Sequence, residues 1–251
     1  MKKLKVGIVG VGSIARVAHI GNYNAMPDVE IAAVCDIVPE KMEFSGIPVG
    51  AAKYTDYREM IDTADIDAVD ICTPNDLHSE IAVYALGHGK HVFCEKPDAI
   101  SAAERQKMSE AEARSGKTLM VMRNNRHTAG SRYLKQCIEQ GEFGDIYAGR
   151  CGWIRRRGIP GKGGWFTTRA RSGGGPLIDL GVHMLDLAVW LMGSPKAVAV
   201  SGCTYCKFAD APDISDSVHS SFGEKNADGM FDVEDLAMGC IRFENGACLQ
   251  I

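Results

Sequence analysis

The chain has 251 residues, 45% hydrophobic and 24% charged, which fits a globular protein with one large or two modest cores. A formal net charge of −4 argues against general nucleic-acid binding, and no apolar run is long enough to span a bilayer. Nine cysteines, an odd number scattered through predicted elements, point to reduced thiols and a cytoplasmic setting rather than a disulfide framework.

Leu4–Val9 is a short apolar run of the buried-strand type. The glycines that follow, then Ser13 and Arg16, interrupt the apolar stretch and tell against a signal peptide after Met1-Lys2-Lys3. Gly10-Val11-Gly12-Ser13-Ile14-Ala15 comes next and opens a helical segment that runs to about Ala25. Glu30–Cys35 reads as a second strand ending at Asp36, and Ala68–Cys72 as a third ending at the turn Thr73-Pro74-Asn75. A helix over 76–87 leads to a strand at His91–Cys94, and a helix over 102–115 leads to a strand at Thr118–Met122. His78 reads as a helix-start residue. Strands that alternate with helices predict βαβ units, right-handed crossovers and a doubly wound, mainly parallel sheet over residues 1–122.

In that setting the Gly10-x-Gly12-x-x-Ala15 motif has a mechanism. Gly10 permits the tight turn, Gly12 lets a pyrophosphate approach the backbone, and Ala15 is small enough for close helix–strand packing. The helix start supplies amide donors and the positive dipole end. Asp36, at the end of the second strand, is placed to accept from an adenosine ribose diol. Its charge would repel a 2′-phosphate, and Ile37-Val38 offers no cation, so NAD is favoured over NADP. The predicted cofactor contacts are Gly10, Gly12, Ser13, Ile14, Asp36, Thr73, Pro74, Asn75, Glu95 and Lys96 in a Rossmann domain. Glu95-Lys96-Pro97 lies at the strand edge where open α/β sheets bind ligands, so Lys96 can hold a substrate oxygen and stabilise its developing charge. The competing reading is a surface lysine paired with an acid.

The second domain covers 123–251. Arg123-Asn124-Asn125-Arg126-His127 begins the crossover into it, followed by a helix over 131–140 and a strand over 145–154. Arg155, Arg156, Arg157, Lys162, Arg169 and Arg171 make a basic patch interleaved with Trp153, Trp165 and Phe166. It reads either as a sugar-binding groove or as solvated arginines beside interface aromatics. Gly173-Gly174-Gly175-Pro176 reads as a flexible hinge running into a helix. Asp179 and His183 are four apart and Asp186 three further on, so all share nearly one helical face, which reads either as proton-transfer equipment or as a polar stripe facing water. Lys196–Tyr205 is a strand, 209–230 a long loop, and Phe231–Phe243 with 247–251 a hairpin around Glu244-Asn245-Gly246. Cys203 and Cys206, three apart near a strand, point to opposite faces, so no metal site is expected.

The glycine motif with Asp36, Glu95-Lys96-Pro97 and the Gly173–Asp186 segment, in that order, resemble the glucose–fructose oxidoreductase/inositol dehydrogenase/rhizopine-catabolism (Gfo/Idh/MocA) family of oxidoreductases. The resemblance implies a second, α+β domain with an open, mostly antiparallel sheet that mediates homodimers or homotetramers. It also implies that Lys96, Asp179 and His183 act at the reacting carbon. His183 would then take the proton from a sugar or cyclitol hydroxyl while the carbon gives hydride to NAD. Arg126, Arg156, Trp165, Asp179 and His183 are the expected substrate contacts. No nucleic-acid or membrane partner is expected. The alternatives are a glycosidase that uses NAD transiently and a non-catalytic NAD-binding sensor. Relatives normally continue with further strands, so ending at Ile251 is expected to leave an open, apolar sheet edge, in a fragment or under a partner subunit.

Overall fold

The computed structural model describes residues 2–155, 158–208 and 229–251. The chain folds as two compact units, Met1–Met122 and Arg123–Ile251.

The N-terminal unit is built on one six-stranded parallel sheet. Its strands are β1 (Leu4–Val9), β2 (Val29–Cys35), β3 (Ala52–Tyr54), β4 (Ala68–Ile71), β5 (His91–Cys94) and β6 (Leu119–Val121), in the order β3-β2-β1-β4-β5-β6. The order reverses between β1 and β4, the switch point where such sheets bind ligands beyond their strand ends. Strand residues are apolar on both faces because helices cover both. Val6 and Ile8 of β1 enter one core with Ile20, Ile31, Val34 and Met42. Val9 enters the other with Met60, Ile71, Ile81, Leu86 and Met108.

A π-helical turn, Ala15–His19, runs into α1 (Ile20–Ala25), and α3 (His78–Gly87) and α4 (Ala102–Ser115) follow β4 and β5. Ser101 caps α4 by accepting the Glu104 N–H, and Gly116, at φ 63°, closes it. Between Asp36 and Ala68 the structure adds β3 and α2 (Tyr57–Thr63), capped by Asp56. Both are too short to show a hydrophobic period in sequence.

The C-terminal unit holds α5 (Ala129–Glu139), β7 (Ala148–Arg150), α6 (Arg169–Ser172), α7 (Val182–Leu191), β8 (Ala197–Tyr205), β9 (Leu236–Phe243) and β10 (Cys248–Gln250). The sheet order is β7-β10-β9-β8. The β8/β9 and β9/β10 ladders are antiparallel and β10/β7 is parallel, so the sheet is mixed. Several expectations are corrected here. The strand over 145–154 shrinks to the three residues of β7, and β9 starts at Leu236 rather than Phe231. The last strand is not an edge, because β7 pairs with its far side. The expected loop over 209–230 falls mostly outside the described residues.

Leu185, Ala188 and Val189 of α7, with Met192 just after it, pack on Phe243, Ala247 and Leu249. The helical stretch Arg169–Leu191 reaches a mean hydropathy of 1.2, enough by length and composition to cross a membrane. Its glycine break, its two arginines and its two aspartates, together with the packing of α7 on the sheet, mark it instead as a domain helix.

Candidate active site

The glycine turn after β1 has the geometry of a phosphate cradle. Gly10 has φ 91°, and a Cβ there would stand 2.7 Å from the Cys72 carbonyl oxygen. At Gly12 a Cβ would meet nothing within 4 Å, so the space beside its backbone is open for a ligand. Ala15 is fully buried, as close helix–strand packing requires. Ser13 and Ile14 stand exposed at the helix start. Asp36 is buried, with Oδ2 accepting from Val11 N–H at 2.9 Å and Oδ1 from Val38 N–H at 2.9 Å. The acid therefore pins the turn. Lys41 Nζ lies 3.7 Å from Asp36 Oδ1, a cation beyond the Ile37-Val38 pair considered in sequence. These residues fit a dinucleotide. Thr73 and Pro74 are half-buried and Asn75 is buried, directly after β4 on the same edge.

The segment after β5 rests on a buried polar network. Glu95 Oε2 accepts the Lys96 backbone N–H at 3.0 Å, and Glu95 Oε1 lies 2.9 Å from His19 Nε2. The other ring nitrogen, Nδ1, lies 2.7 Å from Asp70 Oδ2. Both partners are carboxylates, so the ring serves them as an imidazolium that donates twice. Burial alone would lower the His19 pKa, but hydrogen bonds to Asp70 and Glu95 and their charges outweigh it and raise it to about 9. Burial works against ionised Glu95, yet the His19 hydrogen bond and charge and the Lys96 N–H hold its pKa below the ordinary range. The thiol of Cys72 is pushed well up by burial, then by Asp70 and Glu95.

His78 does start α3, but it also ties two loops together. Its Nδ1 lies 2.7 Å from the Pro97 carbonyl and its Nε2 lies 2.9 Å from the Thr73 carbonyl. Burial lowers its pKa against the pull of both carbonyls, and a neutral ring donates to only one of them.

In the C-terminal unit, Asp179 lies in a π-helical turn, Leu177–Gly181, that leads into α7, where His183 sits. Asp179 lines a cavity of about 120 Å³ with Trp153, Arg155, Phe166 and Glu234. The His183 and Trp153 ring centroids are 6.4 Å apart. Trp165 stacks on Phe166 at 3.7 Å, and Phe166 reaches the cavity. Asp186, grouped in sequence with Asp179 and His183, is instead an ion-pair anchor. Arg126 meets it with a two-pronged contact at 2.7 and 2.5 Å, and Arg123 Nε lies 3.0 Å away. Arg156 lies outside the described residues.

The glycine hinge is also corrected. Gly173, at φ 84°, caps α6, and a Cβ on Gly175 would stand 1.8 Å from the Glu234 carbonyl oxygen. These glycines allow close packing rather than motion.

Sequence reasoning missed His19, Asp70, Lys41 and Glu234. Asp70 had a signal, since an acid inside the apolar strand Ala68-Val69-Asp70-Ile71 needs a buried partner. His19 had none beyond its place four residues after Ala15.

Residues 4–123 match an "Oxidoreductase family, NAD-binding Rossmann fold" and residues 131–251 a "GFO/IDH/MocA C-terminal domain". The chain is 33% identical to the D-glucoside 3-dehydrogenase of Escherichia coli K12, over 98% of this chain and 68% of that protein. It is 39% identical to an inositol 2-dehydrogenase of Salmonella paratyphi B, over 56% of this chain and 43% of that protein. A levoglucosan dehydrogenase solved with NADH and levoglucosan superposes with a TM-score of 0.84 at 29% identity, covering 99% of this chain and 66% of that one. The chain thus spans about two thirds of the length of the full-length relatives it follows throughout. With the cradle, Asp36 and both domain matches in agreement, the chain belongs to the GFO/IDH/MocA family of NAD-binding oxidoreductases.

Proposed function

We propose that the protein oxidises a hydroxyl-bearing carbon of a sugar, sugar derivative or cyclitol with NAD, or runs the reverse reduction. The observation that carries this reading is the placement of Lys96 directly after β5, on the sheet edge that also presents the Gly10–Gly12 turn and Asp36. NAD, when bound, supplies the redox chemistry. The rest falls to this chain's own side chains.

Asp36 holds the adenosine ribose, and the open backbone at Gly12 receives the pyrophosphate. Lys96 donates to the substrate oxygen and lowers the cost of its negative charge. His183 removes the hydroxyl proton, and Asp179 orients the substrate or the imidazole. Arg126, Arg156 and Trp165 contribute to substrate binding, Trp165 by backing Phe166. The names of similar proteins, which include glucoside, levoglucosan and inositol dehydrogenases, support the substrate class. The chain is proposed to self-associate through the face of its C-terminal sheet that exposes Tyr205, Leu236 and Met238.

The test is a panel of glucose, methyl glucoside, levoglucosan and myo-inositol with NAD and, separately, NADP, followed by absorbance of the reduced cofactor. Accumulation of NADH supports the dehydrogenase. Substrate cleavage without net NADH would replace it with the transient-oxidation glycosidase.

A further inference from the structure

Three buried ionisable side chains stand in line beneath the ligand-binding edge of the parallel sheet. Asp70 belongs to β4, His19 ends the turn that follows the glycine motif, and Glu95 follows β5; they are 0%, 6% and 4% exposed. The line continues from Glu95 Oε2 to the Lys96 N–H. We infer that His19 is a positioning residue for Lys96, acting through Glu95 to fix the backbone that presents the lysine. The inference rests on the assignment of Lys96 to the reacting oxygen.

The physical case starts from the cost of burial. Glu95 is removed from water and stays charged only with a cation beside it. His19 is that cation, at 2.9 Å. A charged carboxylate accepts the Lys96 N–H more strongly than a neutral acid would, and shortens the range of backbone positions open to Lys96. Asp70 completes the device. It engages the opposite ring nitrogen at 2.7 Å, so a His19 that lost its proton would face two buried carboxylates with a single donor.

The surroundings keep the arrangement closed. The Phe93 ring lies 5.8 Å from the imidazole and Tyr23 meets it edge-on at 6.4 Å. The Tyr23 phenol is held un-ionised by burial and by Asp70, and Cys72 is held as a thiol. Asp70 and Glu95 are thus the charged groups that favour the imidazolium, against the cost of burial. A purely structural ion pair would need only one carboxylate. The second one here hands its other oxygen to the backbone of the proposed catalytic lysine.

The experiment uses the isotope-labelled full chain, with and without NAD, and reads amide hydrogen exchange and the His19 ring by NMR. In the wild type the ring carries both protons at neutral pH and the Lys96 amide exchanges slowly. In His19→Gln, the Lys96 amide is expected to exchange about tenfold faster or more, while the amides of Val69 and Val92 in the adjoining strands hold within about twofold. Glu95→Gln keeps the shape of the site and serves if His19→Gln does not fold. It should speed Lys96 exchange in the same selective way and lower the His19 pKa. Equal acceleration at Lys96, Val69 and Val92 in the folded variant would mean that His19 supports the domain as a whole, and would overturn the inference. With a panel substrate, His19→Gln should lower kcat about tenfold or more with the Kd for NAD unchanged, and should add nothing in a Lys96→Ala background. Full turnover in Lys96→Ala would remove the lysine from the chemistry and the inference with it. An inactive Lys96→Ala beside a fully active His19→Gln would sink the inference alone.

Discussion

Asp36 reaches back across the sheet edge to take the Val11 N–H at 2.9 Å, so this carboxylate shapes the glycine turn. The same acid stands 3.7 Å from the Lys41 ammonium. Replacing Asp36 by Ser should therefore weaken NAD binding about tenfold and tighten NADP binding, because the repulsion goes and Lys41 stays. Titration of both cofactors by fluorescence measures this. Unchanged discrimination between them would show that Asp36 does not set it.

The two glycines of the turn should part company on substitution. Gly10→Ala forces a Cβ against the Cys72 carbonyl at a φ of 91° and should cost about 1–3 kcal/mol of stability. Gly12→Ala meets nothing and should leave stability within about 1 kcal/mol while lowering NAD affinity at least tenfold. Denaturant unfolding and cofactor titration on the same samples separate the two effects.

The pH dependence of stability follows from His19. Its pKa rises from 6.5 to about 9 on folding, so its contribution is fully present below about 6.5 and is lost as the pH climbs through about 9. The loss is on the order of 3 kcal/mol. Glu95, with a lowered pKa, contributes above the ordinary carboxylate range and loses that share as the pH falls. Buried thiols such as Cys35 also ionise more readily in the unfolded chain and steepen the alkaline side. His19→Gln should be less stable at neutral pH and show a shallower alkaline decline. An identical alkaline slope in urea unfolding would assign that decline to the thiols.

Loss of the proposed base should be decisive for turnover. His183→Ala is expected to lower kcat about 10²–10⁴-fold with NAD binding intact. Steady-state rates with a panel substrate, paired with cofactor titration, provide the check. Near-normal rates would take His183 out of the reaction.

Tyr205 and Leu236 are directly opposed on β8 and β9, and Met238 follows on the same face. Met238→Lys places a charge in that apolar patch and should shift the protein towards monomer in light scattering, with little change in melting temperature. An unchanged mass would move the association surface elsewhere.

Much of the N-terminal unit was legible because apolar strands alternating with helices and a glycine turn are local signals. The order of strands, helices and turn chemistry sufficed to place Asp36 and Lys96 at one edge. What escaped was set by contacts distant in sequence. β3 and α2 are stabilised by neighbours rather than by their own pattern. The run Gly173-Gly174-Gly175 suggests freedom of motion until Glu234 is seen pressed against it. Asp186 has the spacing of a proton-transfer partner, and only the positions of Arg123 and Arg126 show that it anchors them. The union of His19, Asp70 and Glu95 joins three separate segments, and no window of sequence contains it.

The parallel pairing of β10 with β7 has a consequence for synthesis. Ala148 has no ladder partner until Cys248 has left the ribosome, because β10, which joins β7 to the sheet, is made after β7, β8 and β9. The N-terminal unit can close around its own strands while translation continues. The C-terminal sheet must wait for β10 to emerge, leaving β7 exposed to chaperones or to mispairing in the interval.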